Sequence, residues 1–102
     1  MAIMAEGAAD VLQAHARELR DLGVRSIGLF GSILGPDYGP DSDVDVYVEL
    51  DPARKTYDNF FELHELLSGL FGRRIDLVTD GSLSKHLAPR ILPSIRYVSL
   101  GT

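Results

Sequence analysis

Asp43-Val44-Asp45-Val46-Tyr47-Val48-Glu49 alternates acidic or polar residues with valine, the period-2 pattern of a β-strand whose two faces differ in chemistry. The valines belong against a core. Asp43 and Asp45, two positions apart, share the opposite face and stand close enough to act on one ion. Aspartate is a poor strand former, so its presence twice asks for a reason. From Asp37 to Asp51 the chain holds Asp37, Asp41, Asp43, Asp45, Glu49 and Asp51 with no Lys or Arg. An anonymous run of this kind is a solvated acidic loop; the shared strand face argues for a cation instead.

Upstream, Val24 to Phe30 reads as a buried strand cut off by Gly31-Ser32. Before it, Ala8, Val11, Leu12, Ala16, Leu19 and Leu22 recur at helical spacing and predict one amphipathic helix from Ala8 to Leu22, stopped by Gly23. Downstream, Phe60, Leu63, Leu67, Leu70 and Phe71 predict a second helix over 56–71, with Asp51-Pro52 before it and Gly72 after. Arg74 to Thr79 reads as a third strand closed by Asp80-Gly81, and Ser82 as the cap of a short helix reaching about Ala88, before Pro89. Ile95 to Leu100 fits a last strand or a packing segment equally well. Helices alternating with short strands describe an α/β (α+β) layer fold, a small sheet flanked by helices.

At 102 residues the chain has room for one domain, spanning 1–102, whose core is modest and whose pocket is shallow or completed by a partner. The absence of cysteine excludes disulfides, Cys-based zinc sites and thiol nucleophiles, and makes the cytoplasm the expected compartment. The first residues carry no basic leader with a long apolar run, and no window reaches the length of a membrane span, so neither secretion nor a membrane partner is expected. With 10 Lys+Arg against 15 Asp+Glu, and with the basic residues scattered, no direct nucleic-acid partner is expected either.

Paired same-face carboxylates suit a hard divalent cation that keeps open positions for water and phosphate oxygens, with magnesium the natural candidate. Counted as a calcium loop from Asp41, the sequence places Val46 where the turn glycine belongs and Pro52 where the bidentate glutamate belongs, so that reading fails. Gly31-Ser32, directly after a strand, offers N–H groups and a hydroxyl of the kind that hold phosphate, although such turns are also ordinary punctuation. Asp76, flanked by Ile75 and Leu77, would be a costly unpaired charge in an apolar strand.

Gly31-Ser32, ten intervening residues, Asp43-x-Asp45 and the later Asp76 together resemble the nucleotidyltransferase superfamily typified by DNA polymerase beta, and in particular its minimal members, the MNT proteins. The resemblance runs from the first helix to about Val78. It implies the polymerase-beta-like fold with a small mixed sheet, and an antitoxin that acts beside a HEPN-domain RNase toxin by moving AMP from ATP onto a toxin tyrosine. Position by position, it implies that Gly31 and Ser32 hold the triphosphate, and that Asp43, Asp45 and Asp76 ligate Mg2+. Asp76 would also take, or orient the group that takes, the acceptor's proton.

The chain departs from that pattern in one place. Many relatives carry an arginine after Gly-Ser, where this sequence reads Ile33-Leu34-Gly35-Pro36. Arg73 and Arg74, before the Asp76 strand, are the candidate substitutes, against the plain reading of two solvated arginines. Tyr47 reads as packing on the carboxylate face. His15, His64 and His86 have no metal-site spacing and receive no role. The Phe60, Phe61, Leu67, Leu70, Phe71 stripe reads as core, with Phe61 able to join a partner interface. The competing function is a binding antitoxin that covers its toxin without chemistry. Transfer to a small molecule is disfavoured by the chain's length.

Overall fold

The structure, a computed structural model, describes residues 5–36, 38–39, 41–82 and 88–100. Its helices and strands run α1 (Ala5–Ala14), α2 (Ala16–Asp21), β1 (Val24–Phe30), β2 (Val44–Leu50), α3 (Tyr57–Phe71), β3 (Ile75–Thr79), α4 (Ala88–Ile91) and β4 (Arg96–Val98). The sheet is mixed, in the order β3-β2-β1-β4. β1 runs antiparallel to both β2 and β4, whereas β3 lies parallel to β2 and needs α3 as its crossover.

Val44, Val46 and Val48 of β2 join Ile27 and Leu29 of β1 on one face of the sheet, where Leu12, Leu19, Leu63 and Leu67 from the helices close the core. Each fully buried aliphatic side chain of this kind contributes about 1.5–3 kcal/mol. The opposite face carries a smaller cluster of Phe30, Tyr47 and Ile95, with Ile91 of α4 and Val78 packed against it. The β2 alternation therefore divides a helix-covered face from a partly open one that bears the acids.

Thr56 caps α3 by accepting the Asn59 N–H at 3.2 Å, and Gly72 ends the helix in the left-handed region, φ 62°, donating to Ser68 O at 2.9 Å. Inside α3, Asn59 is a buried polar side chain. It donates to Leu22 O at 2.7 Å and Arg54 O at 3.0 Å, tying the helix to the turns that flank β1 and follow β2.

The structure corrects two expectations and leaves a third outside the described residues. The first helix is two: His15 leaves helical geometry (ψ 22°) and donates its N–H to Leu12 O at 3.2 Å, so α1 and α2 meet at a kink. Apolar spacing could not show this, because Leu12 and Leu19 are seven apart, a same-face interval in an unbroken helix too. Ser82 forms a turn, its Oγ donating to Thr79 O at 2.9 Å; the helix expected after it falls on 83–87, outside the described residues. α4 includes Pro89 in its first turn, where a missing N–H costs no helical bond, instead of ending before it. The undecided tail is a strand, β4, on the free edge of β1.

Candidate functional site

Phe30 is paired with Asp45 across β1 and β2, so the chain leaving β1 turns directly over the Asp45 carboxylate. Gly31 takes φ +75°, and a Cβ there would collide with Asp45 Oδ2. Gly31 to Leu34 then form one turn of 3-10 helix, within which the Ser32 backbone N–H bonds the Asp45 carboxylate. Ser32 itself is exposed.

On the other side, the parallel register of β2 and β3 sets Asp45 opposite Asp76, and their side chains share a hydrogen bond. Burial and the adjacent Asp76 push the Asp45 carboxyl up to about 6, with Asp43 adding a smaller push and the Ser32 N–H opposing both. Two carboxylates in contact hold either a proton or a cation between them, so this pair fits a hard divalent ion. Asp43 is half-buried and two positions upstream on the same face. Among the described residues no three acidic or imidazole groups converge tightly enough to form a closed metal cluster. Asp45 and Asp76 face each other across the ladder, and Asp43 is two positions upstream on the same face.

The two candidate arginines part company. Arg73 lies over the Tyr38 ring, 5.0 Å from its centroid, and donates to Tyr38 Oη at 2.9 Å, Gly39 O at 2.8 Å and Ser42 O at 3.3 Å. It holds the loop that delivers Asp43 against the start of β3. Arg74 is exposed and, with Asp41, Ser42, Asp43, Gly72 and Arg73, lines a polar cavity of about 310 Å³ beside Asp43.

Tyr47 is packing, as its strand position suggested: it is buried against Phe30 and Ile95, edge-on to Tyr97, and donates to Glu49 Oε2 at 3.2 Å. Burial first, then Glu49, hold its phenol above the ordinary range. His64 donates from Nε2 to Ile75 O at 3.1 Å, and His15 pairs with Glu18 at 2.8 Å. His86 lies outside the described residues. In the α3 stripe, Leu67 is buried, Phe60, Leu70 and Phe71 are half-buried, and Phe61 is exposed, one helical turn from the still more exposed Tyr57.

The sequence reading missed the Arg73–Tyr38 contact, the Asn59 hub and a Lys55–Asp80 ion pair of 2.9 Å. Burial would raise the Asp80 carboxyl, but Lys55 and the Leu50 N–H outweigh it and hold Asp80 below its ordinary value. Asp80-Gly81 advertised only a turn. No helix among the described residues is long and apolar enough to cross a membrane.

Comparison with known proteins places the chain. Residues 12–98 match the family described as nucleotidyltransferase domain. Protein adenylyltransferase MntA of Thermococcus cleftensis is 42% identical over 89 residues, which cover 86% of this chain and 89% of that protein. A solved structure assigned as a minimal nucleotidyltransferase superposes with a TM-score of 0.71 at 26% identity, covering 86% of this chain and 93% of the other. A chain from the complex of tri-AMPylated Shewanella oneidensis HEPN toxin with MNT antitoxin shares the fold, with a TM-score of 0.62 at 24% identity over 92% of this chain and 73% of its own. The fold, the strand-borne aspartates beside a Gly-Ser turn and the match over 12–98 lead to one conclusion: the chain belongs to the nucleotidyltransferase domain family, as one of its minimal members.

Proposed function

We propose that this chain transfers AMP from ATP to a tyrosine hydroxyl of a HEPN-domain toxin and so acts as its antitoxin in the cytoplasm. The carrying observation is the Asp45–Asp76 pair directly beside the Gly31-Ser32 turn. In the reaction the acceptor oxygen bonds to the α-phosphorus, the bond from that phosphorus to the bridging oxygen breaks, and pyrophosphate leaves with the electron pair. Asp43, Asp45 and Asp76 would hold Mg2+, whose contribution when bound is to neutralise charge on the phosphates. The exposed Gly31-Ser32 turn would take phosphate oxygens through the Ser32 hydroxyl, while the Ser32 N–H stays on Asp45. Asp76, on an edge strand and exposed, would accept or orient the acceptor proton at its carboxylate oxygen. A protein acceptor supplies the surface that a chain of 102 residues lacks, and no nucleic-acid or membrane partner is invoked.

The binding-only antitoxin is favoured by a different observation. Tyr57 and Phe61, one helical turn apart on α3, are 86% and 58% exposed, a ready contact for a covering partner. The intact mass of a HEPN-domain partner, incubated with this chain, ATP and magnesium, separates the two. Mass increments of AMP that vanish in an Asp43→Asn/Asp45→Asn double variant support transfer; a stable complex of unmodified mass supports binding alone.

A further inference from the structure

The segment that carries Gly31-Ser32 and Asp43-x-Asp45 brings no cation of its own, since no Lys or Arg occurs between Arg25 and Arg54. Mg2+ on the carboxylates would meet part of the phosphate charge, and any protein cation that adds to it has to come from elsewhere in the fold. Several cations are committed: Arg25 faces Asp51 at 3.8 Å and Arg54 donates to Asn59 Oδ1 at 3.0 Å, both at the far end of the β1–β2 ladder, Lys55 pairs with Asp80, and Arg73 is spent on Tyr38 and its loop. The exposed Arg90 and Arg96 stand on α4 and β4, outside the β2–β3 ladder.

Arg74 is different. The β2–β3 register pairs Val44 with Ile75 and Asp45 with Asp76, and the Val44 N–H donates to Arg74 O at 3.0 Å, so the ladder continues one step further. That step sets Arg74 beside Asp43, on the face of the sheet that carries Asp45 and Asp76. Its guanidinium is exposed, lines the cavity of about 310 Å³ with Asp43, and makes no hydrogen bond or ion pair among the described residues. A cavity of that size suits a phosphate group with part of its sugar, and a planar guanidinium fork matches phosphate oxygens in pairs. The Gly31-Ser32 turn thus lies on the β1 side of the carboxylate pair, and an exposed arginine stands beside Asp43 on the β3 side, lining a cavity that adjoins the pair without including it.

We propose that Arg74 is the residue that binds a nucleotide phosphate at this site, while its neighbour Arg73 only positions the loop. This rests on the reading of the site as one of AMP transfer. Two sources present the same chemistry: the triphosphate of the incoming ATP, and the phosphodiester of an AMP already joined to the partner.

The test uses the full chain with Arg74→Gln, Arg74→Lys and, as comparator, Arg90→Gln on α4, each checked for an unchanged melting temperature. Two quantities are read: ATP affinity and KM against kcat for the first transfer, and the number of AMP units per partner molecule by intact mass. If the donor is held, Arg74→Gln raises the ATP Kd and KM about tenfold or more with kcat little changed, and Arg74→Lys recovers part of the loss. If the attached AMP is held, the first transfer keeps its wild-type constants and product stops at one unit. Arg74→Gln with wild-type affinity, KM and unit count overturns the proposal, as does a loss that appears in Arg90→Gln instead. Wild-type chain that binds ATP through Arg74 yet transfers nothing would remove the transfer reading and leave Arg74 in place.

Discussion

The carboxylate of Asp45 occupies the space that a side chain at Gly31 would need. The turn and the acid are therefore one object: φ +75° at Gly31 brings the backbone over Asp45, and the Ser32 N–H then fastens to it. Gly31→Ala meets both the left-handed backbone and the carboxylate. We expect a stability loss of about 1–3 kcal/mol and a fall in transfer rate of about a hundredfold, because Asp45 must move. Urea unfolding with a transfer assay checks this; unchanged transfer would show that the turn tolerates displacement of Asp45.

The Asp45–Asp76 contact makes the metal-free protein sensitive to pH in a stated direction. The Asp45 carboxyl titrates at about 6 in the fold against 3.8 as its ordinary value, so between these the folded state binds more protons than the unfolded chain and stability falls as pH rises. The penalty is absent below 3.8 and complete above about 6. Asp45→Asn removes it. In chelator the variant should melt at a higher temperature than wild type at pH 7.5, the gap closing towards pH 4, and added magnesium should narrow it from the wild-type side. A gap independent of pH would rule out the shared-charge account.

Arg73 bonds the Tyr38 hydroxyl and the Gly39 and Ser42 carbonyls, fixing the loop from which Asp43 enters β2. Arg73→Ala should cost about 1–3 kcal/mol of stability. At a temperature where the variant is folded, the magnesium concentration for half-maximal transfer should rise while ATP affinity stays near wild type. Lysine, a point charge without the fork, should restore only part of this. An effect on ATP affinity with no change in magnesium dependence would place Arg73 on the nucleotide instead.

Asn59 is buried and holds the carbonyls of Leu22 and Arg54, far from the carboxylates in the fold's logic. Asn59→Leu leaves both acceptors without their donor and should destabilise the protein by about 1–3 kcal/mol. Transfer kinetics well below the melting temperature should be unchanged. Denaturant midpoints alongside kcat measure the two independently, and a kcat loss without a midpoint shift would contradict a purely structural role.

Periodicity was enough to read β1, β2, α3 and β3 from the chain, because each buries one face and so writes its period into the apolar residues. The acids at 43, 45 and 76 were legible for the same reason, as charges where a strand should be apolar. The kink at His15 left no mark on the pattern, and the strand within Ile95 to Leu100, at Arg96–Val98, was decided only by the open edge of β1. The sequence determined which residues we propose to carry the chemistry. The parallel β2–β3 register decided that Asp45 meets Asp76 and that Arg74 faces Asp43, and the Tyr38 contact decided that Arg73 does not. Those relations join segments about thirty residues apart in sequence, and no local pattern encodes the partner of a strand; packing of both sheet faces selects it.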